Sequence, residues 1–323
     1  MLMRQTLSIA SYLAVKEVWR NRGRFLLVSL VIALIILLVL FIAALGEGLG
    51  NGNREYLSKL DADLIVFQAK SDDVIAASRL GRDRLAAVRR VDGVADAAMI
   101  GTSSASLILP GDIEPLKVAM LGVEPGRTGE PNVVDGQQLN TDLASEVIID
   151  RNTAIRSNLT IGDILTVRVT QGTRDEFFDL RIVGISDGRQ FQLQPSIFVP
   201  FFTWDRIRSK SEGEVNSLTS VGNVVLVKLE DPAQLEQVSQ WLVAQVSNVE
   251  TATLRTAIQA LPGYSAQQST LNTQGDFTLF IGILVIGGFF QIQILQKVAQ
   301  IGVLKAIGVI IMTTYALETQ SLI

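Results

Sequence analysis

The sequence predicts membrane-spanning α-helices combined with an extracytoplasmic α+β domain, in which a split ferredoxin-like lobe of two β-α-β halves encloses a β-rich sublobe. Three observations predict it. Two long uncharged apolar runs lie at residues 25–45 and 277–296, basic residues gather on one side of each run, and the long stretch between them, 46–276, has ordinary globular composition. A helix of about 20 apolar residues matches a hydrocarbon core about 30 Å thick, so the runs read as spans and the stretch between them as a folded domain.

The first run, FLLVSLVIALIILLVLFIAAL, has Leu, Ile, Val or Phe at 17 of its 21 positions. Its apolar length exceeds the roughly 7–15 residues of a signal-peptide core, so it reads as a span and not as a leader. Residues 1–24 carry Arg4, Lys16, Arg20, Arg22 and Arg24 against Glu17, while residues 46–63 show no basic excess. Positive charge stays in the cytoplasm, which puts the N-terminus inside and the domain from residue 46 outside. Residues 14–19 suit either a short helix at the inner surface, with Trp19 at headgroup level, or a plain basic anchor.

The second run, FTLFIGILVIGGFFQIQIL, returns to the cytoplasm, because Lys297 and Lys305 follow it while Arg255 is the one basic residue in the 22 before it. Gly282, Gly287 and Gly288 permit close approach of another helix, and Gln291 and Gln293 have amides that hydrogen-bond across such a contact. Residues 308–323 (GVIIMTTYALETQSLI) read as the opening of a third span; a cytoplasmic amphipathic tail is the alternative.

Within 46–276 the clearest unit comes late. NVVLVKL (223–229) is a buried strand, Asp231 is placed to cap a helix with Pro232 at its first position, Leu235, Val238, Leu242 and Val246 form one apolar face, and 249–254 is a second strand. DLIVFQ (63–68), a short helix marked by Leu85, Val88 and Val91, and a strand at 94–100 repeat the order. Between the halves, residues 123–200 carry strand signals at 146–150, 164–170, 177–185 and 196–200, with turns at Gly162 and Gly188. The polar segment 265–276 is helix-compatible and extends the second span outward.

Chemistry is largely excluded. There is no cysteine and no histidine, net charge is −4, and no basic block points to nucleic acid. The glycine run GEGLGNG (46–52) follows a helix and lacks the Lys-Ser/Thr that closes a phosphate loop, so it reads as a flexible or frayed helix exit. The acid pairs at 61/63, 72/73, 175/176 and 230/231 lack metal-site spacing, and no serine has a histidine or lysine partner. No catalytic constellation and no cofactor are expected.

One short stretch is more specific. KVAQIGVLKAIG (297–308) directly follows the second span and resembles the cytoplasmic signature of the MacB/FtsX-like permeases of ABC transporters, which reads roughly Arg-Glu-Ile-Gly-Leu-Leu-Arg-Ala-Leu-Gly. Gly302, Ala306 and Gly308 match, Lys305 stands for the basic residue, and Gln300 replaces the glutamate. WRNRGRF (19–25), AIRSNLTIGDILTV (154–167) and LRIVGI (180–185) are similar to other family segments. The resemblance implies a multi-pass protein of a bacterial-type cell membrane, without enzyme activity of its own and working as a homodimer or paired permease. A separate cytoplasmic ABC ATPase would dock on Gln300, Ile301, Gly302, Leu304, Lys305, Ala306 and Gly308, and its motion would be relayed to the outer domain for export or mechanotransmission. A membrane-tethered sensor or binding module has the same two-span layout, but no cytoplasmic output domain is recognisable here.

Overall fold

The computed structural model describes residues 22–306, apart from 110, 112, 113, 212, 213, 215–219 and 262, together with residues 16, 19 and 20. The chain forms two compact units, one of residues 1–46 with 269–323 and one of residues 47–268. Expectations for most of 1–21, for Ile307 and Gly308, and for the third span at 309–323 lie outside the described residues.

Helix α1 (Arg22–Ser58) contains the first apolar run. Its 37 residues make a helix about 55 Å long, and Ser29–Gly48 is the stretch apolar enough to cross a membrane. The glycine run at 46–52 is helical throughout, so of the flexible or frayed exit expected from its composition the fraying is corrected. Glycine costs about 1 kcal/mol in a helix relative to alanine, and helix on both sides of the run offsets that cost here.

After α1 the domain begins with β1 (Leu64–Gln68), the short β2 (Leu80–Gly81), α2 (Arg82–Val88) and β3 (Val94–Ile108). It continues through β4 (Leu116–Val123), β5 (Val133–Gly136), β6 (Glu146–Asp150), α3 (Arg151–Ser157), β7 (Ile164–Gln171), β8 (Arg174–Ser186), β9 (Ser196–Pro200) and α4 (Phe201–Ile207). Then come β10 (Val221–Gly222), β11 (Val224–Leu229), a 3₁₀ turn at Pro232–Gln234, α5 (Leu235–Gln245), β12 (Val249–Thr253) and α6 (Leu254–Gln259). The chain leaves through α7 (Tyr264–Ala306), 43 residues long and holding the second apolar run. Its membrane-compatible stretch, Tyr264–Ile292, starts earlier than residue 277 because the polar residues of 265–275 carry no charge.

The two β-α-β units interleave. Their strands lie side by side in the order β12-β1-β11-β3, each antiparallel to its neighbour. Alternate residues of a strand face opposite ways, and both faces are covered. Leu64 and Val66 join Leu85, Val88, Val238 and Leu242 in one core, while Ile65 and Phe67 join Tyr56, Leu57, Ala252 and Ala257 in the other. That two-sided burial is why LIVFQ and VVLVKL read as continuous apolar runs. Asp231 accepts from Ala233 N–H at the start of the 3₁₀ turn, with Pro232 next to it, as the sequence predicts.

The β-rich part is not a separate sheet. Strand β3 is 15 residues long: its first half pairs with β11, and its second half with β4 and β7. From β4 the sheet continues to β9, β6, β8 and β5, with β4–β9 and β6–β8 parallel, so ten strands form one mixed sheet. Strand pairing of the β-rich part therefore begins at Gly101, ahead of the expected start near residue 123. Helix α4 fastens this junction. Gly101 and Gly122 are paired across β3 and β4, and Trp204 lies on them, buried, with its indole N–H donating to Ser103 Oγ at 3.0 Å. A Cβ on Gly101 would fall 2.3 Å from the indole and one on Gly122 2.5 Å from Trp204 Cβ, so the slot exists because both residues are glycine.

Candidate functional site

The predicted coupling residues Gln300, Ile301, Gly302, Leu304, Lys305 and Ala306 all lie on the last turns of α7, and the helix runs through them from the second span without a break. Gly302 is exposed, and among the described residues a Cβ there would meet nothing within 4 Å. Gly308 lies outside the described residues.

Of the residues expected to pack the spans, the structure brings one against α1. Gly282 is buried, and a Cβ there would stand 3.6 Å from Ile35 Cγ2. Gly287 and Gly288 have no such neighbour, Gln291 is exposed, and Gln293 lies on the same helix. A second close approach was not foreseen: a Cβ on Gly46 would fall 2.8 Å from Leu271 Cδ2. Ile35 precedes Gly46 on α1 by about three helical turns of roughly 3.6 residues each, and Leu271 precedes Gly282 on α7 by the same interval. Equal intervals run in opposite senses mean that two antiparallel helices meet twice along one seam. Small residues at such contacts let backbones approach closely.

In the domain unit, the end of α1 is fastened to the 187–194 loop by a cluster of charged side chains. Arg189, 5% exposed, donates from Nε to Asp187 Oδ1 at 2.7 Å and from Nη1 to Lys59 O at 3.1 Å. Lys59 Nζ lies 2.9 Å from Glu55 Oε1 and 3.1 Å from Asp187 Oδ2. Glu55 Oε2 accepts from Gln190 N–H at 3.1 Å. Burial opposes ionisation of Asp187, but hydrogen bonds from Arg189 and Lys59 outweigh it and hold the carboxyl below the usual carboxylate range. Burial likewise opposes the charge on Lys59, and its bonds to Glu55 and Asp187 reverse that and push its pKa up. No pattern in the sequence marks these groups, because Lys59 and Arg189 are 130 positions apart.

A second polar cluster joins α2 to the end of β4. Glu124, 5% exposed, accepts from Arg89 Nη2, and Arg82 Nη1 stands 3.5 Å from its other oxygen, an ion-pair distance without hydrogen-bond alignment. Arg82 also lies over the Phe202 ring, 4.7 Å from its centroid. Desolvation of the buried carboxylate outweighs both arginines and raises its pKa. Five long-range polar contacts hold Asn223: its Oδ1 accepts from Thr102 N–H, its Nδ2 donates to Ile75 O and Ser78 O, its carbonyl accepts from Ser78 Oγ, and its N–H donates to Ile100 O. Apart from Arg82 Nη1 and Glu124 Oε1, which lack a hydrogen bond, the polar groups described here find partners between elements. Among the described residues no group of three or more Asp or Glu side chains is placed to hold a metal ion.

Comparison with known proteins gives three findings. A family model, the MacB-like periplasmic core domain, matches residues 25–245. Proteins carrying the name hemin transport system permease protein HrtB are similar over most of the chain. The one from Staphylococcus epidermidis is 21% identical over 306 residues, covering 92% of this chain and 76% of that protein. The one from Staphylococcus haemolyticus is 22% identical over 297 residues with the same coverage. Among solved structures, the extracellular domain of the noncanonic ABC-type transporter YknZ from Gram-positive bacteria aligns with a TM-score of 0.42 at 14% identity, over 59% of this chain and 99% of that one. The periplasmic region of MacB from Actinobacillus actinomycetemcomitans aligns with a TM-score of 0.42 at 12% identity, over 61% of this chain and 91% of that one.

Proposed function

We propose a role for this chain from one premise: it belongs to the MacB/FtsX-like permeases of ABC transporters, through a MacB-like periplasmic core domain matched over residues 25–245. It is a membrane protein with an extracytoplasmic domain and a permease component, and such permeases work with a cytoplasmic ATPase.

The finer reading is that ATP-driven motion enters at residues 300–308, passes along α7 and reaches the outer domain, serving export or mechanotransmission. The observation that carries it is α7 itself: one helix contains the coupling signature as far as Ala306, the second apolar run and the polar segment 264–276. A helix suits the task because its backbone hydrogen bonds are satisfied internally, even in lipid. At about 65 Å, α7 is roughly twice as long as a hydrocarbon core is thick, so helix remains on both sides of the bilayer. We read the four-stranded part of the domain as a split ferredoxin-like lobe, on the order β12-β1-β11-β3 with α2 and α5 as crossovers. We place the boundaries at 1–24 inside, 25–45 and 277–296 in the membrane, 46–276 outside and 297–308 as coupling segment. The working form is a multi-pass homodimer or paired permease.

Copurification with the partner ATPase tests the coupling assignment. Gly302→Asp combined with Lys305→Glu puts two new negative charges on the docking turns and removes a positive one. The double variant is expected to lose ATPase binding and stimulation while keeping the domain's urea midpoint. Undiminished binding and stimulation by that variant would show the assignment to be wrong.

A further inference from the structure

Glycine stands at positions 46, 48, 50 and 52 of α1, every second residue of a continuous helix. This is not a packing stripe. Residues two apart lie on nearly opposite sides of a helix, so 46 and 50 share one side and 48 and 52 the other. Packing accounts for two of the four: a Cβ at Gly46 would strike Leu271, and one at Gly52 would lie 2.8 Å from Gln190 Oε1. Among the described residues a Cβ at Gly48 or Gly50 would meet nothing within 4 Å, although Gly50 is itself buried, and neither has positive φ. Neither space nor backbone conformation calls for glycine there. What glycine does at such a site is disfavour the helix, leaving it about fivefold less populated per position than alanine would.

The run lies between two fastened segments. Before it, α1 meets α7 through Ile35 and Gly282, and at the run's first residue Gly46 meets Leu271. After it, Glu55, Tyr56 and Lys59 bind the 187–194 loop. That loop also enters the helix's own ladder: Gly52 O accepts from Leu193 N–H at 3.2 Å, and Tyr56 N–H donates to Gln190 O at 3.0 Å, so both ends of the Gly52–Tyr56 turn are engaged from outside. Insertion into the i→i−4 ladder is a recognised cause of helix kinks. The loop reaches this position with Gln192 and Leu193 in left-handed conformation, at φ 51° and 62°.

We propose that residues 46–52 form a hinge in α1, weakened by Gly48 and Gly50 and bounded at its outer end by the 190–193 loop. It stands apart from the identity of the partner or cargo. Hydrogen exchange on the full chain in phospholipid nanodiscs tests it, with no partner protein present, so its failure and a failure of the permease reading are told apart. Amides 48–52 are expected to exchange at least tenfold faster than those of 54–58. Gly48→Ala with Gly50→Ala is expected to slow them about 25-fold without lowering the domain's urea midpoint. Wild-type protection at 48–52 equal to that at 54–58, or exchange unchanged in the double variant, overturns the hinge.

Discussion

Asp187 holds two cations at once, Arg189 through Oδ1 and Lys59 through Oδ2, and these fasten the end of α1 to the β-rich part. Its pKa lies below the unfolded value of about 4, so its contribution is complete above that pH and is lost as pH falls through the folded value. Asp187→Asn is expected to lower the urea midpoint at pH 7, and the gap from wild type should close as the pH approaches 2. A gap that stays constant over that range would assign the loss to shape and not to charge. Residues of this kind were illegible in the sequence: Lys59, Asp187 and Arg189 are ordinary surface types until a long-range contact brings them together. Asp231 was legible, since a cap and its helix are neighbours in the chain.

Elements were readable where burial writes a period. Strands β1, β6, β8, β9 and β11 and helix α5 follow from apolar runs or faces that alternate cores on either side must cover. The second half of β3 was hidden, because 101–106 reads Gly-Thr-Ser-Ser-Ala-Ser and shows small residues where Trp204 needs room. The antiparallel seam of α1 with α7 was half legible: Gly282 was expected to pack, while Gly46 was assigned to a frayed exit. The natural chain has no cysteine, so a pair can be introduced without background. Ile35→Cys with Gly282→Cys should form an intramolecular disulfide on mild oxidation in membranes. Ile35→Cys with Gly287→Cys, about 7.5 Å farther along α7, should not. Equal yields from the two pairs would refute the seam.

For the molecule as a whole, charge asymmetry predicts the topology and the apolar runs predict the spans, since bilayer thickness leaves little freedom in either. The sheet's continuity was beyond the sequence, because strands far apart in the chain become neighbours through contacts that no local pattern announces. Strand β3 has a consequence of its own. Its two halves hydrogen-bond to different partners, and one apolar core runs from Leu64 and Val225 to Val147, Ile182 and Ile197. Melting either half strips the other of a paired edge, so the outer domain should lose structure all at once. Denaturation followed by tryptophan fluorescence and by circular dichroism should give coincident curves, and residues 101–200 expressed alone should show no cooperative transition. Evolution can then vary the loops at either end freely, but it cannot exchange one half of the domain as a cassette.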